Sequence, residues 1–173
     1  LYAFTDCEIS IASNSSIIDG EKPRFLGVTE ILRINTDNTV RLLKLELEIR
    51  LDELENQWHF LSLEKLFINN EMYIDFKLYA DREALYVYLY ERFKPFKKQL
   101  IRPITDEDLL KLTQIPMIRI TRFDSSKADD SLLKIEAEIE IVKGHLANLI
   151  DYAIDYFKDL KKRFGAGRER KTE

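Results

Sequence analysis

The sequence predicts a mainly α protein: a long antiparallel coiled-coil hairpin capped by a small helical globular unit, preceded by a short β-hairpin. Three observations carry this. In heptad phase, Leu132, Ile139, Leu146, Ala153 and Leu160 fill one core position, and Ile135, Val142, Leu149 and Tyr156 fill the other. Alternating steps of three and four mark a helix packed along a partner. Earlier in the chain, Leu43, Leu47, Leu51, Leu54, Trp58 and Leu61 follow at the same kind of spacing and supply that partner. Finally, no glycine or proline interrupts the chain between Gly27 and Pro95, which favours long unbroken helix.

The bulk composition narrows the function classes. With 173 residues, 34% charged and 45% hydrophobic, the chain can build elongated cores with much solvated surface. A formal net charge of −4 gives no global reason for tight nucleic-acid binding. The lone Cys7 excludes an internal disulfide and fits a reducing cytoplasm. No apolar run reaches the ~18 residues of a membrane span, and no signal peptide opens the chain. A start at Leu1 and an end in Arg-Glu-Arg-Lys-Thr-Glu suggest a piece of something larger.

Taken in order, Glu8 to Ala12 alternates like a strand. Ile17-Ile18 leads into the turn pair Asp19-Gly20, and Pro23 to Leu26 forms a returning strand. A helix begins near Thr29. The polar run Asn35-Thr36-Asp37-Asn38-Thr39 predicts a kink or break, since short polar side chains compete for backbone hydrogen bonds. Leu42, Leu45 and Ile49 add a second apolar line to the outgoing helix.

Residues 69–128 are too many for a bare turn and must form a cap. Asp81-Arg82-Glu83 reads as the start of a helix from Ala84 to Phe93, although Leu85 to Tyr90 also has the propensity of a buried strand. Thr105 with Asp108 is a capping box opening a helix from Asp106 to Ile115, and Pro116 begins another from Met117 to Phe123. Ser126 with Asp129 is a second such box for the return helix, roughly 50 Å long by helical rise. That helix ends in Lys158, Lys161, Lys162 and Arg163, with Gly165 as its C-cap.

Few residues suggest chemistry. His59 and His145 stand mid-helix on separate arms, without the spacing of a metal site, and read as surface or seam residues. Cys7 has no nearby His or Asn to make it a nucleophile. Asp106, Glu107 and Asp108 could be metal ligands, but acidic residues in a first turn ordinarily offset the helix dipole. Lys94, Lys97, Lys98 and Arg102 form a basic patch that reads as a solvated face. Glycine-rich phosphate loops, GxSxG and HExxH are absent from the sequence. No catalytic residue and no metal ligand is assigned.

Four blocks resemble the breakage–reunion subunit of bacterial type IIA topoisomerases, the A subunit of gyrase and topoisomerase IV. Leu1-Tyr2-Ala3-Phe4-Thr5-Asp6-Cys7-Glu8 resembles the end of that family's tower domain. Gly27 to Leu32 and Val40 to Leu66 resemble its outgoing coiled-coil helix. Ile104 to Leu112, continuing to Arg119-Ile120-Thr121-Arg122-Phe123, resembles its C-gate helices. Lys161 to Gly165, with Arg168 to Glu173, resembles the block that closes the coiled coil. Ile34 to Thr39 and His145 to Tyr152 are closer to topoisomerase IV than to gyrase, and Asn69 to Gln99 departs most from gyrase.

The resemblance implies a division into a tower remnant (1–27), an outgoing arm (28–68), a C-gate dimerisation domain (69–125), a return arm (126–164) and a linker (165–173). It implies a homodimer forming the gate through which transported duplex DNA leaves an ATP-dependent topoisomerase, with ATP and magnesium bound by the B subunit. The family's nucleophilic tyrosine follows an arginine; none of the eight tyrosines here does, so the chain alone should be inactive.

Under that resemblance, Ile115, Met117, Ile118 and Phe123 are candidates for the dimer contact, with Leu109 and Leu112 behind them; the simpler reading makes all six the cap's private core. The seam residues are Leu43, Leu47, Leu54, Trp58 and Leu61 against Leu132, Ile135, Ile139, Val142, Leu146, Leu149, Tyr156 and Leu160. The rival reading is a non-enzymatic coiled-coil adaptor, or the helical arm of another large enzyme such as a tRNA synthetase.

Overall fold

A computed structural model describes residues 15–79 and 81–168. The chain divides into two compact units, Leu1–Leu45 and Glu46–Glu173. The fold is mainly α, with six α-helices and one two-stranded sheet among the described residues.

In the first unit, β1 (Ser15–Asp19) pairs antiparallel with β2 (Lys22–Leu26), placing Ile17 opposite Arg24. Gly20 turns the chain at φ 67°, a left-handed value that costs a residue without Cβ little. The strands and turn read at Ile17 to Leu26 are therefore present; the strand expected at Glu8 to Ala12 lies outside the described residues. Pro23 is tolerated because both strands of such a sheet are edges.

The long helix α1 (Val28–Asn69) contributes to both units and runs without the break expected at Asn35 to Thr39. Thr36 Oγ1 donates to the Leu32 carbonyl at 2.8 Å, and Thr39 Oγ1 to that of Asn35 at 2.7 Å. The hydroxyls that could have competed with the helix bond back onto it instead.

At its C-terminus α1 closes in a Schellman arrangement. Met72 N–H donates to the Phe67 carbonyl at 3.1 Å and Glu71 N–H to that of Ile68 at 3.0 Å, with Glu71 left-handed at φ 52°. Phe67 and Met72 both enter the core, the apolar contact that accompanies this motif.

In the second unit, the latter part of α1 packs along α5 (Ser125–Ala147) and α6 (Leu149–Phe164). Asn69 bonds Ser125, Lys65 pairs with Asp129, and Trp58 Nε1 donates to Glu136 at 2.9 Å. Numbers fall on one helix as they rise on the other, so the helices are antiparallel. Leu47, Leu54, Ile139 and Val142 are buried along the seam, flanked by Leu51, Trp58, Ile135, Leu146, Leu149 and Tyr152. Exposed ion pairs such as Arg50–Glu138 contribute about 0–1 kcal/mol each, so the apolar strip dominates.

The return arm is two helices rather than one. Asn148 breaks it at φ −119°, ψ 50°. The Gly144 carbonyl accepts from both the backbone N–H (3.1 Å) and the side-chain amide (3.4 Å) of Asn148. Two poor helix formers four residues apart concentrate the break there. The start differs too: Asp124, not Ser126, is the N-cap, and its carboxylate accepts from Ser126 N–H and Lys127 N–H. Asp129 is instead drawn to Lys65.

The rest of the second unit is a compact cap. After a 3-10 turn at Ile74–Leu78 come α2 (Arg82–Phe93), a 3-10 turn at Lys94–Gln99, α3 (Asp106–Thr113) and α4 (Met117–Thr121). The Leu85 to Tyr90 run is helical, not a strand. Leu89 and Phe93 meet Leu63, Phe67, Ile68, Met72, Leu109, Leu112 and Ile120 in the core.

Candidate functional site

The tip of the cap is built around α3 and α4. Thr105 and Asp108 form the capping box read from the sequence. Asp108 is 2% exposed and accepts further bonds from both terminal nitrogens of Arg102, at 2.7 and 2.9 Å. Burial alone would raise the Asp108 carboxyl, but the bonds from Arg102 and Thr105 outweigh it and hold it at about 2. Two residues earlier in sequence, Asp106 accepts from the Tyr90 hydroxyl at 2.6 Å; that bond and burial push Tyr90 up to about 12.

On this platform α4 presents Met117 and Ile118, 61% and 59% exposed. Arg119 ties the same helix to α1: its Nε lies 2.6 Å from Oε1 of Glu64, which is 1% exposed. Two hollows flank α4. One, of about 250 Å³, lies between Met117 and the aromatic rings of Phe67, Tyr73 and Phe76. The other, of about 450 Å³, is bordered by Ile118, Arg119, Arg122, Phe123 and Lys127.

The six tip residues thus differ in position. Leu109 and Leu112 lie in the chain's own core, and Ile115 and Phe123 pack half-buried against it. Met117 and Ile118 alone of the six are open to solvent. Along the arms, Leu43 is buried in the first unit, and Leu47, Leu54, Ile139 and Val142 are buried in the seam of the second. Trp58 is half-buried, with its indole N–H at the rim. Leu61, Leu132 and Leu160 are half-buried. Tyr156 is 37% exposed and lies against Phe157 rather than in the seam cluster, whose last member is Tyr152.

Among the residues considered for chemistry, His145 stacks near Tyr152, with ring centroids 4.7 Å apart. His59 is neither a surface nor a seam residue: it is wholly buried, 3.6 Å from Asp108. The basic patch is not a unit, because Arg102 turns inward to Asp108 and Lys94 pairs with Glu91. Cys7 lies outside the described residues. No cluster of three or more His, Cys, Asp or Glu suited to a metal ion occurs among the described residues. Nor is any helix there long and apolar enough to cross a membrane.

Sequence reading missed the Glu64–Arg119 pair and the burial of His59. The second left a trace: His59, Leu63 and Phe67 recur every four residues and so share the inward face of α1.

Comparison with known proteins agrees with the resemblance. The A subunit of DNA topoisomerase 4 from Borreliella burgdorferi is 22% identical over 173 residues, covering 100% of this chain and 28% of its own length. The chain therefore spans little more than a quarter of that relative. The family model for the A subunit of DNA gyrase/topoisomerase IV matches residues 1–158. With most of its length matched, the chain belongs to the family of DNA gyrase and topoisomerase IV A subunits.

Proposed function

We propose that this chain is the coiled-coil and gate portion of a topoisomerase A subunit, which meets a second copy through α4 and so closes the exit for a transported DNA duplex. The observation that carries this reading is the exposure of Met117 and Ile118 on a helix anchored from behind by Glu64 and Ile120. An apolar pair held on a rigid base suits a contact that must hold and yet separate. In a twofold dimer each copy presents the same patch to the other. The seam surfaces of α1 and α5 are occupied within the chain, which leaves the tip available.

On this reading the boundaries near residues 27, 68, 125 and 164 separate tower remnant, outgoing arm, gate and return arm. The whole enzyme, with its B subunit, ATP and magnesium, is an ATP-dependent isomerase acting on double-stranded DNA in the cytoplasm. This portion alone does not cleave DNA, because none of its eight tyrosines follows an arginine. Light scattering tests the gate. The parent chain is expected to be a dimer, and Met117→Glu with Ile118→Glu a monomer of unchanged helicity, since charge cannot be buried there unpaired. A parent that stays monomeric at high concentration, or a double variant that stays dimeric, would refute the placement.

A further inference from the structure

The His59 ring has no solvent exposure, and neither of its nitrogens has a hydrogen-bond partner. Buried polar groups ordinarily find one. Its Nε2 stands 3.6 Å from Oδ2 of Asp108, just beyond bonding range. That oxygen is already occupied: Arg102 Nη1 donates to it at 2.7 Å, Thr105 N–H at 3.0 Å and Thr105 Oγ1 at 2.9 Å. The charged groups facing the ring are Arg102, from segment 100–105, and Asp108, from α3.

We propose that Asp108 is a shared acceptor for two cations: Arg102 holds it while His59 is neutral, and a protonated His59 takes it over and releases the Arg102 segment from α1. A proton arriving on His59 creates a charge that water cannot reach, and the carboxylate beside it is the group placed to compensate. Two cations at one buried carboxylate also repel each other strongly, because the local dielectric is low. Only one of them has an exit. The Arg102 side chain is 35% exposed and can swing into water, whereas the His59 side chain is 0% exposed.

When Arg102 leaves, it gives up its bond from Nε to Asn56 Oδ1 (3.2 Å), which ties segment 100–105 to α1. Asp108 keeps its bonds from Thr105, so the α3 cap survives. The switch operates on the acid side of an ordinary histidine. Burial lowers the pKa of His59 below 6.5 and Arg102 lowers it further, against the pull of Asp108. The device does not depend on the gate reading.

The test is a nuclear magnetic resonance titration of the full 173-residue chain from about pH 8 to about pH 5, following the His59 ring and the Arg102 Nε–H. His59 is expected to titrate below the ~6.5 of a free histidine. The Arg102 Nε–H should lose protection at the same midpoint while the α3 amides keep theirs. In His59→Gln, Arg102 should stay protected throughout. In Arg102→Gln, Asp108 is left to His59 and the midpoint should rise by about one pH unit; this arm remains decisive if His59→Gln folds poorly. The proposal is overturned by an Arg102 that stays protected once His59 is charged, by an Arg102→Gln midpoint no higher than the parent's, or by a His59 that stays neutral until the chain unfolds.

Discussion

Arg119 Nε sits 2.6 Å from Oε1 of Glu64, joining an exposed guanidinium on α4 to a carboxylate buried on α1. The two sides of this pair are unequal. Arg119 can rehydrate when separated, but Glu64 cannot, so removing the arginine strands a buried acid. Arg119→Met should therefore destabilise the chain by about 1–3 kcal/mol, with the arginine's own exposure limiting the loss. Adding Glu64→Met should recover much of it, since apolar replacement of both members of a buried pair is often close to neutral. Urea unfolding of the parent, both single variants and the double variant measures the coupling. Equal losses in the single and double variants would show that the pair does not hold α4.

Asp108 makes an acid limb. Its folded carboxyl lies at about 2 against an ordinary 3.8. Between those values the unfolded chain binds the proton and the folded chain does not, so stability falls as pH falls. The contribution, about 2 kcal/mol, is complete above the ordinary value and lost on passing down through about pH 2. Asp108→Asn should be less stable at neutral pH and show a flatter decline below about pH 4. An unchanged acid limb in this variant would mean that other carboxylates set it.

Two residues read as seam positions look equivalent in sequence and differ in the fold. Leu54 is 1% exposed and Tyr156 is 37% exposed, although both occupy heptad positions. Leu54→Ala should cost about 2–5 kcal/mol as a buried truncation, and Tyr156→Ala within about 0.5 kcal/mol. Thermal unfolding checks the contrast. Equal costs would place Tyr156 in the seam after all.

Legibility followed the range of the interactions. The Thr105–Asp108 box and the start of α2 near Asp81 could be read because each is decided within one helical turn. The seam could be read because its period is long and regular. The break at Asn148 hid in the same regularity: Leu149 stays in the seam and Ala153 is buried on its far side, so the heptad read from the sequence shows no slip. The opposite error fell at Asn35 to Thr39, where the helix continues despite poor intrinsic propensity, its two threonine hydroxyls bonding back onto it rather than ending it. The Arg102–Asp108–His59 cluster needed the fold, because it joins α1 to residues more than forty positions away. At the tip, the resemblance set Leu109 and Leu112 behind the other four, but could not tell that Ile115 and Phe123 pack half-buried against the core while Met117 and Ile118 stay open.

Two helix ends reverse the ordinary use of glycine. At the end of α1 the left-handed position is held by Glu71, φ 52°, where glycine is usual. A side chain there meets its own backbone, at a cost of about 1 kcal/mol. Glu71→Gly removes that strain, partly offset by the greater freedom of glycine in the unfolded chain, and should raise stability by up to about 1 kcal/mol. At the end of α6 the C-cap is Gly165, but at an ordinary φ of −75°. Its role is close approach: a Cβ there would lie 2.3 Å from the Lys161 carbonyl oxygen, against backbone that cannot move aside cheaply. Gly165→Ala should therefore fray the last turn of α6, seen as faster amide exchange from Lys161 to Phe164 with global stability little changed. The two substitutions move glycine in opposite directions and should give opposite signs. A destabilised Glu71→Gly would show that its side chain, not the backbone angle, governs the end of α1. An unchanged exchange rate in Gly165→Ala would show that the α6 terminus relaxes freely around a methyl group.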